Sequence, residues 1–225
     1  MILFCIDLLF VTFEKTLLMR KGLYLGAVLM AMGIFTACKS EPTVSDEVQK
    51  ETCFYRYNEG KSSLEWIAFK TNDKVGVAGG FNEILVSSDK FEDPREVIES
   101  ISFTINTASV ETNNEERNGK IFNHFFETIN TPKITGSIKS LGENGKAIIE
   151  ITMNGISLDV MGDYELNHNA FMYETTIDVA AWNGTSGINA LNDVCKDLHV
   201  GPDGVSKLWS EVQLKFQTVL QSDCE

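Results

Sequence analysis

The chain has 225 residues, 19 basic against 32 acidic side chains, a formal net charge of −13, and 43% hydrophobic residues. A chain this acidic does not bind nucleic acid or an anionic membrane face by charge attraction. Its length is sufficient for one domain with a full hydrophobic core.

Residues 1–37 have the pattern of an export signal. Arg20 and Lys21 precede an uninterrupted apolar run that ends in small residues before Cys38. This layout is typical of a signal peptide and is too short to favour a membrane-spanning helix. Two acidic residues interrupt the stretch before Met19, so we expect translation to start at Met19. Removal of residues 1–37 leaves 188 residues with 16 basic and 30 acidic side chains, a net charge of −14.

The residues ending at Cys38, Phe-Thr-Ala-Cys, resemble the box at which bacterial lipoproteins are cleaved and lipidated. We therefore predict lipidation of Cys38; the alternative is an ordinary signal peptide in which Cys38 is incidental. Two or more acyl chains hold a protein stably on a membrane. The polar, acidic residues 38–52 are predicted to be a flexible tether. Lys39, in place of an Asp that retains some lipoproteins at the inner membrane, favours an exported, outer-membrane or periplasm-facing lipoprotein.

Residues 53–225 are predicted to form one β domain, because hydrophobic side chains recur mostly at every second position. Ile101, Phe103 and Ile105 share one face of their segment, and the alternation is cleaner near the C-terminus. Eight antiparallel strands of this kind favour a closed barrel or a sandwich. The eight segments are LEWIAFK, VGVAGGFNEILV, SISFTINTASV, KITGSIKSL, KAIIEITM, SLDVMGDYEL, FMYETTIDVAAW and SEVQLKFQTVLQ.

Turn residues separate several of these strands. Asn144-Gly145 predicts a tight hairpin in which both central residues have positive φ. Residues 167–169 mark a second turn. The glycines at 76, 79 and 80 are typical of a strand that bends sharply or turns a barrel corner.

Two helical insertions interrupt the strands. The first runs from Thr112 to Phe126, with Thr112 and Glu115 as a capping box. Its apolar stripe comprises Ile121, Phe122, Phe125, Phe126 and Ile129. The second insertion, residues 186–202, carries an apolar face and is stopped by Gly201-Pro202.

Cys53, Cys195 and Cys224 remain after lipidation of Cys38, which allows one disulfide and one free thiol. We predict Cys53–Cys224 if the first and last strands are neighbours. Cys195 and His199, four residues apart on one helical face, are weak metal-site candidates that His124 could join. The alternative for Cys195 is a core thiol or half of a disulfide. Because the chain lacks the common catalytic motifs, we predict that it is not an enzyme and that it has no cofactor.

Four stretches resemble, in order and spacing, the YceI-like proteins over residues 57–220. They are SSLEWIAFKTNDKVGVAGGFNEI, ISFTINTASVETNNEERNGKIFNHFF, PKITGSIKSL and ITMNGISLDVMGDYEL. Where the family usually has Arg-Asp, this chain has Arg117-Asn118. The resemblance implies a lipocalin-like closed antiparallel eight-stranded barrel that holds an isoprenoid-type lipid, a polyprenyl chain or quinone, in an apolar lumen. It also implies that the first helix covers one end of the barrel.

The predicted ligand-binding residues are the aromatic side chains of the lumen, two cations on the first helix and the paired phenylalanines at its end. They are Trp66, Phe69, Phe81, Phe103, Arg117, Lys120, Phe125, Phe126 and Phe216. For Arg117 the alternative is an ion pair with a nearby carboxylate. The expected partners are an isoprenoid or other long-chain apolar lipid, the membrane through Cys38, and a second copy of the chain in a homodimer; nucleic acid is excluded. The alternative function is an envelope interaction module with a side-chain-filled barrel.

Overall fold

The computed structural model describes residues 52–224, which are mainly β-strands in antiparallel pairs, as predicted. The predicted signal peptide of residues 1–37, the start at Met19, the lipidated Cys38 and all but the last residue of the 38–52 tether lie outside the described residues. Among residues 52–224, no helix combines the length and apolar character needed to cross a membrane.

Twelve strands form over this range. A two-stranded pair joins the first and last, and the other ten make one curled sheet. The strands are β1 Cys53–Arg56, β2 Ser62–Lys70, β3 Val75–Phe81, β4 Ile84–Ser87, β5 Ser102–Asn106, β6 Val110–Glu111, β7 Lys133–Leu141, β8 Lys146–Met153, β9 Ile156–Asn167, β10 Ala170–Asp178, β11 Leu208–Val219 and β12 Gln221–Cys224.

The prediction of a closed eight-stranded barrel is wrong. The ten strands run in the order β4-β5-β7-β8-β9-β10-β11-β2-β3-β6 and curl into a half-barrel. Two predicted strands are each broken in two, the first at residues 82–83 and the second at the single-turn helix Thr107–Ser109. As a result β3 pairs with β6 while β4 pairs with β5, and the two terminal strands do not pair with each other.

The alternation of side chains gives the sheet two distinct faces. We call the concave side that carries Trp66, Ile149 and Phe171 the inner face, and all three residues are buried there. The opposite, outer face carries charged pairs such as Lys215–Glu174 across neighbouring strands. The hydrophobic core therefore lies entirely on the inner face, as a period of two requires.

Within residues 52–224, three α-helices join the strands: α1 Pro94–Glu99, α2 Glu115–Ile121 and α3 Thr185–Val194. α2 continues directly into a π-helical segment, Phe122–Phe126, whose wider turn is closed by the Glu127 amide donating to the Phe122 carbonyl. The predicted capping box is wrong, because the cap is Asn114, whose side chain accepts from the Arg117 amide at 2.9 Å. α3 ends eight residues before the predicted stop and is followed by the single turn Lys196–Leu198.

α1 was missed from the sequence, although it has a recognisable start. Asp93 accepts from the Arg95 amide and Pro94 occupies the first turn, which is a common arrangement at helix N-termini. Val97 and Ile98 are fully buried by this helix. α1 packs against β1 and β7 and so covers the end of the sheet opposite to α2 and α3.

The predicted turns occur at their expected places with different geometry. Gly145 has a φ of 73°, but Asn144 does not have positive φ, so the β7–β8 connection is a longer loop closed by the Gly142 amide and the Lys146 carbonyl. His168 adopts φ of 55° at the β9–β10 turn.

The two ends of the domain are joined covalently. Cys53 and Cys224 are opposite each other in the β1–β12 pair and form a disulfide. Residues 52–224 thus hold their own hydrophobic core and both cysteines of the bridge.

Candidate functional site

Part of the inner face remains accessible although it is apolar. On β8 the inward side chains from Ala147 to Met153 are all at most 7% exposed. Across the sheet, on β11, β2 and β3, most inward side chains stay partly exposed. These are Leu64, Ala68, Val77, Phe81, Val212, Leu214 and Phe216. The three adjacent strands therefore present an apolar surface that the protein itself covers only in part.

Trp66 lies flat against the wall formed by these strands. It is opposite Gly79 in the β2–β3 register, and a Cβ at Gly79 would lie 2.3 Å from Cζ2 of the indole. The indole N–H donates to the Gly80 carbonyl at 3.3 Å. The ring can take this position only because Gly79 has no side chain, and the space in front of the sheet stays free of the indole.

Two further aromatic rings rest on glycines in the same way. A Cβ at Gly136 would lie 2.4 Å from the Phe103 ring, and one at Gly162 would lie 2.5 Å from the Tyr173 ring. The Tyr173 hydroxyl donates to the Val160 carbonyl at 3.3 Å, and burial raises its pKa to about 12. The phenol is therefore neutral at physiological pH, and it adds no charge to the inner face.

The other predicted aromatic residues divide between the two faces. Phe81 and Phe216 are on the inner face, where Phe216 packs on Phe171 with ring centroids 6.1 Å apart. Phe69 is a correction: it is three positions from Trp66 and so points to the outer face, where the Lys74 ammonium lies 5.9 Å from its ring. Because alternate residues of a strand face opposite sides, Trp66 and Phe69 cannot both line one lumen.

Phe125 and Phe126 close one end of the sheet as part of the core. They are 8% and 6% exposed, their rings are 5.1 Å apart, and the Phe126 ring is 6.0 Å from that of Phe81. α3 lies directly over them, since a Cβ at Gly187 would be 2.7 Å from the Phe125 ring. The contact between Phe126 and Phe81 joins this pair to the accessible apolar surface.

Arg117 is used within its own loop. Its Nε donates to the Thr112 hydroxyl at 3.0 Å and an Nη donates to the Thr112 carbonyl at 3.1 Å. It pairs with no carboxylate among residues 52–224. Lys120 forms an ion pair with Glu116 one turn earlier, at 2.6 Å. The structure therefore places neither cation on the inner face of the sheet.

Asn118, which stands where the family usually has Asp, fits its surroundings as an amide. Its Oδ1 accepts from the Thr112 amide and hydroxyl at 2.9 and 2.6 Å, and its Nδ2 donates to Glu111 Oε1 at 3.1 Å. The hydrogen bond from Asn118, followed by the one from the Asn113 amide, lowers the pKa of Glu111. An Asp at 118 could not donate to Glu111, so the substitution matches the neighbouring carboxylate.

The weak metal candidates do not come together as a metal site. Within residues 52–224 no cluster of three or more His, Cys, Asp or Glu side chains is placed to bind a metal ion. Cys195 is a buried free thiol, and burial raises its pKa. The His199 ring bonds through Nδ1 to Asn192 at 2.9 Å, and burial, followed by the charge of Lys70, lowers the pKa of His199.

A separate surface groove has a volume of about 410 Å³. It crosses β4, β5, β7 and β8 and is lined mostly by outward side chains of Ser, Thr and Glu, together with the 75%-exposed Leu85. Such a polar groove does not suit an apolar chain.

The sequence and the structure were both compared with those of known proteins. A model of the YceI-like domain matches residues 55–220, which is well over half of the chain. The chain belongs to the YceI-like family. No curated protein sequence matches this YceI-like protein.

Two solved structures share the fold of this YceI-like domain. One is a polyisoprenoid binding domain from Saccharophagus degradans implicated in plant cell wall breakdown, at 15% identity and a TM-score of 0.52, covering 77% of this chain and 100% of that one. The other is BcnA from Burkholderia cenocepacia, at 21% identity and a TM-score of 0.50, covering 74% of this chain and 99% of that one. At these identities the likeness establishes the fold alone.

Proposed function

We propose that this YceI-like domain binds one long, apolar, isoprenoid-type lipid along the inner face of its half-barrel. The observation that carries the proposal is the unequal burial of the inner face. Inward apolar side chains on β11, β2 and β3 stay accessible while those on β8 are fully packed. The polyisoprenoid-binding description of the similar S. degradans domain supports the same ligand class.

The glycine-backed aromatic rings suit a slender chain. Because glycines let the rings of Trp66, Phe103 and Tyr173 pack against the strands, these rings leave the space in front of the inner face open to a slender chain. A lipid bilayer is equally apolar, so transfer of the chain from membrane to protein is close to neutral in free energy. Contacts at the polar end of the ligand then determine selectivity. Near-neutral transfer suits a protein that takes up and releases its lipid.

We further propose that the domain works at the cell envelope as an exported lipoprotein attached through Cys38, and that its role is transport, storage or sensing of the lipid. The signal-like residues 1–37 and the polar residues 38–52 support this placement. A binding function also accounts for the chemistry of the inner face. Its accessible side chains are apolar, and polar groups such as the Trp66 N–H and the Tyr173 hydroxyl donate to carbonyls within the protein.

The test is native mass spectrometry of residues 40–225 expressed into a bacterial periplasm, followed by organic extraction of the bound material. We expect one lipid per protein, and its mass identifies the chain and head group. Replacing Leu214 by Asp, which puts a charge on the accessible surface, should abolish the bound mass. As a control, Gln213→Asp on the outer face should retain it. Wild-type protein that remains bare after incubation with prenyl lipids would refute the proposal.

A further inference from the structure

A polar cleft of about 330 Å³ opens at the edge of the sheet, at the end stapled by the disulfide. Residues 56–60 form one side, Ile84 and Val86 of β4 form the other, and Gln221 closes it. Arg56 and Gln221 are directly opposite each other in the β1–β12 ladder, so the Cys53–Cys224 bridge three residues away holds both in place.

The cleft shares two apolar side chains with the inner face of the sheet. In the β4–β5 register Ile84 is opposite the buried Ile105 and Val86 is opposite Phe103, so both cleft residues point to the inner face. β4 is a terminal strand of the sheet, and β2 pairs with β3 only from Trp66 onward. The wall is therefore split between β4 and the start of β2, and the cleft lies in this gap.

Hydrogen-bond donors line the solvent side of the cleft. Arg56 uses its Nε to donate to Asp223 at 3.2 Å, and its terminal nitrogens make no hydrogen bond within residues 52–224. The Asn58 carbonyl accepts from the Ser62 hydroxyl at 2.6 Å, whereas the Asn58 side-chain amide makes none in the same range. Burial raises the pKa of Tyr57, so its phenol also stays protonated. Apolar side chains and the unused donors of Arg56 and Asn58 therefore meet in one cleft.

The charges around the cleft cancel. Arg56 and Glu59 contribute one charge of each sign to the lining, and Asp223 behind Arg56 is also 3.7 Å from the Lys90 ammonium. The protein as a whole carries −13. A phosphate or carboxylate head would enter this field without a surplus cation to receive it, whereas an uncharged oxygen acceptor needs only the free N–H groups.

We propose that this cleft binds the uncharged, oxygen-bearing head group of the lipid, a quinone carbonyl or a prenol hydroxyl, while the tail extends through the gap onto the inner face. The inference rests on the proposed lipid-binding function and adds to it the class of head group and the entry route. The entry is at the same end as the tether, because residue 52 leads directly into β1. If Cys38 is lipidated, this end is the one held within reach of the membrane.

The experiment compares three ligands that share a farnesyl tail: a farnesylated benzoquinone, farnesol and farnesyl monophosphate. Binding to residues 40–225 is measured by quenching of tryptophan fluorescence or by displacement of an apolar dye. We expect the two uncharged ligands to bind at least tenfold more tightly than the phosphate. Arg56→Gln should weaken binding of the quinone about tenfold and leave affinity for the dye unchanged. The matched control Lys215→Gln, which also breaks an exposed ion pair, should change neither.

A second variant tests the entry route. Gly60 has ordinary backbone geometry, and a Cβ there meets only the Asn58 side chain at 3.5 Å, so Gly60→Tyr should fold normally and fill the cleft. We expect it to slow association of the farnesylated quinone at least tenfold in stopped-flow measurements.

Four outcomes would overturn the inference. Farnesyl monophosphate binding as tightly as the quinone would exclude an uncharged-head site. If Arg56→Gln and Lys215→Gln bound the quinone equally well, the head-group site would lie elsewhere. If Gly60→Tyr associated with the quinone as fast as wild type, the entry would lie elsewhere. In both cases, binding of the dye and the farnesyl ligands by the wild type would leave the proposed function intact. Failure of the wild type to bind any of the ligands or the dye would remove both proposals together.

Discussion

Gly79→Ala should destabilise the domain by forcing Trp66 off the wall of the sheet. The new methyl group would lie 2.3 Å from Cζ2 and 2.7 Å from Cε2 and Cη2 of the indole, whereas ordinary contacts begin near 3.4 Å. The ring therefore has to move by about 1 Å. Gly79 does not have positive φ, so the alanine backbone is unstrained and the whole effect comes from the contact with Trp66.

The expected cost combines two terms. Overpacking of this kind costs about 1–3 kcal/mol. Displacement of the ring also weakens the indole hydrogen bond to the Gly80 carbonyl, which adds about 1 kcal/mol. Alanine in place of glycine in a strand returns somewhat less than about 1 kcal/mol by restricting the unfolded chain. The net loss in the free energy of unfolding should be about 1–3 kcal/mol.

Urea unfolding followed by circular dichroism measures this loss, with Gly119→Ala in α2 as the matched control. A Cβ at Gly119 meets nothing within 4 Å, so that variant should be more stable than wild type by about 0.5–1 kcal/mol. In the double variant Gly79→Ala/Trp66→Leu the clash is absent. The coupling energy between the two substitutions should therefore exceed about 1 kcal/mol.

The reasoning would be refuted if Gly79→Ala unfolds at the same urea concentration as wild type. It would also be refuted if the losses from Gly79→Ala and Trp66→Leu simply add, because the ring would then not be the obstacle. Lipid binding provides a separate readout. A displaced indole would occupy the space in front of the inner face, so Gly79→Ala should also bind farnesylated quinone more weakly than wild type.

Two further predictions concern the Cys53–Cys224 disulfide and the buried His199. Replacing Cys53 and Cys224 by Ser removes a bridge across 171 residues, so the free energy of unfolding measured in urea should fall by about 4 kcal/mol. Reducing agent should cause the same loss in the wild type. An unchanged unfolding midpoint would show that the bridge adds no stability. Burial, followed by the charge of Lys70, lowers the pKa of His199 in the folded protein. The imidazole therefore binds a proton more readily in the unfolded chain than in the folded one, and the free energy of unfolding should fall as pH drops below about 6.5. His199→Asn should flatten this dependence, and a His199 resonance titrating at or above pH 6.5 by NMR would contradict it.

Local periodicity predicted much of the strand content because side-chain alternation is a property of each segment alone. All eight predicted segments contain strands at the expected places, and Ile105 and Leu214 point inward as their patterns require. Periodicity does not predict α1, because its six residues are too few to show a helical repeat of hydrophobic positions. Its Asp93-Pro94 start was the available signal.

The candidate site was less predictable because its residues are assigned by contacts far apart in sequence. Phe69 is predicted to line the lumen because it is aromatic. It lies an odd number of residues from Trp66 on the same strand, however, and so points to the outer face. Arg117 was matched to a ligand or a carboxylate, but the loop at Thr112 supplies its acceptors. Neither composition nor spacing indicates which of several acceptors a flexible cation will select.

The sequence by itself determined the β class, the inner and outer positions of most strands and the family, because these depend on alternation and on local motifs. The tertiary structure decided that two predicted strands break, so that the sheet is a half-barrel with a gap between β4 and β2. It also decided which apolar side chains stay accessible and which glycines lie under aromatic rings. The physical reason is that register, curvature and burial depend on pairing between segments up to 171 residues apart, and such pairings leave no periodic trace in either partner.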